Sequence, residues 1–281
     1  MPTTHCTAVA WSRATRVNAH ARSHSTLCGA DGPDIVTGYV LAKVFSRADT
    51  LFNRTSSLQI DREVTVSLFR LDASIRTEGS VSREIADEVE RAYLDARPGA
   101  EVVRRDLGTA PLPADLWTTA VAAGYVAEAD LTPEQRGALA RIAELADEVL
   151  AADAVVVGSP LYNFGIAAHL KTWVDALITD PRFAPGSTPL AGRPVVLVVS
   201  RGGGYGPGTP REGWDHGSGW ITRILRDVWG ADVTVVETEL TLADVVPAMS
   251  ELRPLAAEKR ERARVDARTA GERVAAVTPA A

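Results

Sequence analysis

The sequence predicts an α/β protein: a doubly wound, five-stranded parallel sheet of strand order 2-1-3-4-5, with helices on both faces. From Val64 onward, short β-branched runs alternate with segments of helical period, the pattern of βαβ units. Two of the runs, Ala154–Gly158 (AVVVG) and Pro194–Ser200 (PVVLVVS), carry no polar alternation, as strands covered on both faces require. Five such units in roughly two hundred residues are too few for an eight-fold barrel and suit an open doubly wound sheet.

Val64–Leu71 (VTVSLFRL) reads as the first strand, although Arg70 is unusual at a central position. Ser82–Ala96 follows as a helix with Ile85, Val89, Ala92 and Tyr93 on one stripe, stopped by Pro98-Gly99. Glu101–Leu107 is a short second strand. Thr132-Pro133-Glu134-Gln135 opens the next helix with a Thr cap, a first-turn Pro and a Gln three residues on. Leu139, Ile142, Leu145, Ala146 and Val149 form its apolar stripe. The third strand is Ala154–Gly158, the next helix Ala167–Thr179, and the fourth strand Pro194–Ser200. Trp220–Trp229 reads as helical and Asp232–Leu240 as the fifth strand. A last helix runs from Asp244 to about Arg273, with a break expected near Pro247 or Pro254.

Residues 1–62 read differently, with seven basic residues against four acids and no acid before Asp31. They are expected to be an extension, disordered or produced by an upstream start codon, with 63–281 as the folded domain. His20 and His24 stand four apart, but no acidic third ligand accompanies them, so no metal site is expected. Cys6 and Cys28 are the only cysteines, which excludes a disulfide framework and a cysteine-built zinc site. A net charge of −6 argues against a nucleic-acid partner, and no apolar run is long enough to span a membrane.

In a 2-1-3-4-5 sheet, ligands bind beyond the carboxyl ends of the strands near the switch point. Three loops lie there. The first, Asp72–Ser82, sets Ser74, Ser80 and Ser82 at a helix start, where free amides and the helix dipole favour an anion by up to about 2 kcal/mol. It lacks a Gly-Lys-Ser/Thr run and a GxGxxG pattern, which suits one terminal phosphate; Ser80 or Ser82 also reads as an ordinary helix cap. The second, Ser159–Gly165, offers Tyr162, Asn163 and Phe164 to a flat ring, or packs its aromatics beneath itself. The third, Ser200–Gly208, brings Arg201 beside Gly202, Gly203 and Gly204, where backbone approaches a ligand closely or the loop is simply mobile. Together they describe a pocket with a phosphate at one end and a planar heterocycle at the other.

Ser74…Ser80-Val81-Ser82, Pro160-Leu161-Tyr162-Asn163-Phe164, Leu170-Lys171-Thr172-Trp173-Val174-Asp175 and Ser200-Arg201-Gly202-Gly203 resemble the FMN-dependent NADH:azoreductase family of flavodoxin-like quinone oxidoreductases. The resemblance runs from about Val64 to about Ala270. It implies that Ser74 and Ser80, Val81 and Ser82 hold the FMN phosphate and ribityl region. Leu161, Tyr162, Asn163 and Phe164 would line the isoalloxazine, and Ser200, Arg201, Gly202 and Gly203 would approach its pyrimidine edge. It also implies a cytoplasmic homodimer that passes two electrons from NAD(P)H, with NADH as the named donor, to a quinone or azo acceptor; donor leaving before the acceptor takes its place predicts a ping-pong order. Leu161 stands where the family usually has Met, a volume-conserving change, and Ala167 where many members have Pro. By the same resemblance, Pro207–Trp220, with Trp214, Asp215 and His216, would be the segment that varies on the substrate side. The cofactor carries the redox chemistry, so no catalytic acid or base is assigned. Arg201, Gly202 and Gly203 are expected to stabilise negative charge on the reduced ring. A flavodoxin-type electron carrier and a flavin-free interaction module are the alternatives on the same fold.

Overall fold

A computed structural model describes residues 67–276. The expectations for residues 1–62, including His20, His24, Cys6 and Cys28, and for Val64–Val66 of the first strand lie outside the described residues.

The strands are β1 (Ser67–Asp72), β2 (Glu101–Asp106), β3 (Ala154–Pro160), β4 (Pro194–Ser200) and β5 (Asp232–Thr238). Every pairing is parallel and the order is β2-β1-β3-β4-β5, the sheet the sequence predicts. β3 and β4 are buried at every residue, whereas the edge strands β2 and β5 are partly exposed. The helices are α1 (Val81–Ala96), α2 (Leu116–Ala123), α3 (Pro133–Leu150), α4 (Ala168–Thr179), α5 (Ser218–Arg223) and α6 (Arg253–Ala275).

Alternate side chains of the central strands divide the core into two layers. Phe69, Leu71, Val155, Val157, Val195 and Leu197 pack with α2, α3, α4 and α5. Leu68, Val156, Val196 and Val198 pack with α1 and α6 through Ile85, Val89, Ala263, Ala267 and Ala270. Trp173 is enclosed in the first layer, stacked on Phe69 at 6.4 Å and edge-on to Trp229 at 5.9 Å. Its neighbours Lys171 and Asp175 form an i,i+4 ion pair. The Leu170–Asp175 motif is therefore core and helix surface.

The cap at Thr132 forms as read: Thr132 Oγ1 accepts from Gln135 N–H, and Gln135 Oε1 accepts from Thr132 N–H. Several boundaries differ from expectation by two residues or more. β3 continues to Pro160 because Pro160 still lies opposite Ser200, and β5 stops at Thr238. α5 begins at Ser218 and ends in a wide turn over Ile224–Val228, where Trp229 N–H reaches back five residues to Ile224 O. Pro247 opens a short 3₁₀ turn, but Pro254 lies in the first turn of α6, where its missing N–H costs no helical bond. α2 was not anticipated: eight residues between Pro113 and Gly124 carry too little period to declare a helix.

Candidate functional site

β1, β3 and β4 end at one edge of the sheet, and their loops touch one another there. Loop one (Ala73–Ser80) enters α1 through Gly79, whose φ of 62° is left-handed and suits glycine. Ser74, Ser80 and Ser82 are buried, and the Ser80 and Ser82 hydroxyls lie 3.3 Å apart. Ser80 caps α1 with a long contact of 3.5 Å from Arg83 N–H, so its oxygen stays available. The amides of Thr77 to Ser82 have no acceptor among the described residues. Converging hydroxyls and free amides at a helix start fit a phosphate.

Loop two is a two-residue hairpin: Tyr162 and Gly165 exchange both backbone hydrogen bonds at 2.9 Å. Asn163 (φ 49°) and Phe164 (φ 69°) occupy its tip, and a left-handed Phe is strained backbone of the kind concentrated at ligand sites. The Tyr162 hydroxyl lies 3.2 Å from Ser74 Oγ and accepts from Ile75 N–H, which binds loop two to loop one. Asn163 and Phe164 remain exposed, with Phe164 edge-on to Trp214 at 5.5 Å. Leu161 N–H donates to Ser200 O, and His216 N–H to Phe164 O, which joins loop two to the segment after β4. Gly217 lies so close to loop two that a Cβ there would meet Gly165 C at 2.8 Å.

In loop three the carbonyls of Arg201, Gly202 and Gly203 accept from Thr241, Leu242 and Leu240 N–H. The amides of Gly202, Gly203 and Gly204 have no acceptor among the described residues. A Cβ on Gly202 would meet Leu242 Cδ1 at 2.7 Å. The Arg201 guanidinium is buried against Asp215 (2.6 Å), Glu237 (2.9 Å) and Glu239 (3.8 Å), so its charge is balanced within the protein. Asp215 also accepts from Gly217 N–H, Ser218 N–H and Ser218 Oγ–H. Burial opposes the Asp215 carboxylate, but the bonds from Ser218 and Arg201 outweigh it and hold its pKa below the usual range. Arg201 thus ties the Trp214 segment to β5 while its backbone stays at the site.

Three residues escaped the sequence reading. Gly108, just beyond β2, passes Ser74 so closely that an added Cβ would lie 1.8 Å from its carbonyl oxygen. His169 Nε2, on α4, donates to Ala73 O at 2.7 Å. Arg83 binds loop one from α1. Gly108 had a visible signal as a glycine directly after a strand; His169 and Arg83 had none. Among the described residues there is no group of His, Cys, Asp or Glu that could hold a metal, and no helix long and apolar enough to cross a membrane.

The family described as Flavodoxin-like fold matches residues 67–262, and the chain belongs to it as an oxidoreductase of the FMN-dependent NADH:quinone oxidoreductase group. The FMN-dependent NADH:quinone oxidoreductase of Streptomyces coelicolor (strain ATCC BAA-471 / A3(2) / M145) is 37% identical over 207 residues, covering 72% of this chain and 92% of that protein. Its namesake from Kineococcus radiotolerans is 41% identical over 204 residues, covering 72% of this chain and 96% of that protein. Among solved structures, an azoreductase from Bacillus anthracis str. Sterne superposes with a TM-score of 0.60 at 25% identity, over 74% of this chain and 99% of that one.

Proposed function

We propose that this protein binds FMN at the three-loop rim and carries two electrons from NADH to a quinone or azo acceptor, working as a homodimer. One observation carries the reading: a hydroxyl-lined set of free amides at Thr77–Ser82 and a second set at Gly202–Gly204 lie on the same sheet edge, joined by loop two. Ser74, Ser80, Val81 and Ser82 hold the phosphate end. Leu161, Tyr162, Asn163 and Phe164 lie along the ring, and Ser200, Gly202 and Gly203, with the Arg201 backbone, face its polar edge. When bound, FMN supplies the two-electron chemistry.

The chain's own part is to bind and orient. The amides of Gly202 and Gly203 offer donors to negative charge at the ring edge, in place of the Arg201 guanidinium. The exposed faces of Phe164 and Trp214 give a planar acceptor an apolar wall. Donor and acceptor use this open face in turn, which gives parallel double-reciprocal plots. The quinone acceptor follows the curated relatives' activity, and the azo acceptor follows the Bacillus anthracis azoreductase.

Stopped-flow mixing of the flavin-loaded protein with NADH tests the reading, with rapid loss of flavin absorbance as the expected result. Protein that takes up no FMN, or FMN-loaded protein that NADH does not reduce, refutes it. Ser80→Ala is expected to weaken FMN by about tenfold or more, since a hydrogen bond to a charged group contributes roughly 1.5–3 kcal/mol. Riboflavin, without the phosphate, should lose far less. Fluorescence titration of both flavins makes the comparison, and equal losses would remove Ser80 from the phosphate site.

A further inference from the structure

We propose that Arg83 is the positioning residue of the phosphate-holding loop, acting with Asp106 at the end of β2; this rests on the FMN reading above. Arg83 Nε donates to Arg76 O at 2.9 Å, and one terminal nitrogen donates to Ser74 O at 2.7 Å. The same guanidinium grips both oxygens of Asp106, at 2.7 and 2.8 Å. Asp106 is itself set by Gly108 N–H and Thr109 N–H. One planar fork therefore holds two carbonyls of the loop and is held in turn by the neighbouring strand.

The consequence follows from the rigid peptide plane, in which C=O and the next N–H point in opposite directions. Drawing Ser74 O towards Arg83 turns Ile75 N–H away from it, and that amide reaches the Tyr162 hydroxyl. Drawing Arg76 O towards Arg83 likewise turns Thr77 N–H outward, and this is the first of the run of unpartnered amides. Arg83 thus aims the amides of the anion seat from behind, with its own charge balanced by Asp106.

The test uses apoprotein freed of flavin and measures FMN and riboflavin dissociation constants for the wild type, Arg83→Lys, Arg83→Gln and Asp106→Asn. Both Arg83 variants are expected to weaken FMN about tenfold, with riboflavin changed by less than about threefold, because lysine keeps the charge but not the fork. Rescue by Arg83→Lys, or a parallel loss of both flavins, overturns the proposal. Asp106→Asn keeps an oxygen for the Gly108 and Thr109 amides but loses the charged bidentate grip. It is expected to move the same ratio about threefold, and an unmoved ratio overturns the proposal even if the Arg83 variants do not fold. Wild-type protein that binds riboflavin and FMN alike overturns the FMN reading together with this one.

Discussion

Arg70→Leu is expected to destabilise the protein by about 3–5 kcal/mol, because it breaks a buried ion network by removing its only cation on β1. The Arg70 side chain is 6% exposed and binds Asp72, Asp87 and Glu90 at 2.5 to 3.1 Å, together with Arg83 O. Without it, Asp72 (side chain 9% exposed) keeps only Arg83, at 3.8 Å. Burial already raises the Asp72 carboxyl above its ordinary value, against the pull of Arg70. Losing Arg70 raises it further.

The sign of the pH dependence follows. A carboxyl whose folded pKa lies above its unfolded value penalises the native state while ionised, and the penalty vanishes as pH falls through the folded pKa. The deficit of Arg70→Leu should therefore be largest near neutral pH and shrink towards acid. Urea unfolding at several pH values measures it, with a fall in Tm on the order of 10 °C as the thermal counterpart. A deficit below about 1 kcal/mol, typical of an exposed ion pair, or one flat in pH, would show that the network contributes nothing of this kind. Arg70→Leu combined with Asp72→Leu should recover much of the loss, since apolar groups of similar size replace buried ion pairs well.

Gly108→Ala is expected to cost the site more than the fold. The added Cβ would meet Ser74 O at 1.8 Å and Ser74 C at 2.6 Å, and both are backbone atoms that no rotamer relieves. Relief requires loop one to move off the end of β2, taking the Ser74 hydroxyl with it. Overpacking of this kind costs about 1–3 kcal/mol, which corresponds to a loss of roughly 5- to 150-fold in FMN affinity if the strain falls on the bound loop. Gly137→Ala in α3 is the matched control: that glycine is exposed, with nothing within 4 Å of the added carbon. It should raise stability by up to about 1 kcal/mol and leave flavin binding unchanged. Equal flavin affinities for the two variants would show that Gly108 does not support the loop.

Arg70 illustrates where sequence reasoning stops. Its residue type counted against a central strand, yet its strand neighbours and the two-residue spacing to Asp72 were legible. The partners that make it tolerable, Asp87 and Glu90, stand on the next helix, and only the packing of α1 on β1 brings them near. Arg201 shows the same limit. An arginine beside three glycines reads as free charge, but Asp215 arrives from a later loop, Glu237 from the strand paired with β4 and Glu239 from just beyond that strand. Arg83 reads as an exposed polar position on an amphipathic helix, because nothing local marks its bonds to Ser74, Arg76 and Asp106.

Periodicity, β-branched runs and the cap at Thr132 were enough to mark the five strands, the helices other than α2 and the loops between them. Each depends on which face of an element meets water, a property repeated every two or about 3.6 residues along the chain. What the folded chain alone decided is which polar groups remain unsatisfied. Free amides at Thr77–Ser82 and Gly202–Gly204, a neutralised Arg201 and a braced Ser74 depend on donors and acceptors from segments distant in sequence. A hydrogen bond acts over about 3 Å, and nothing in the order of residues encodes such a distance until the sheet has brought those segments together.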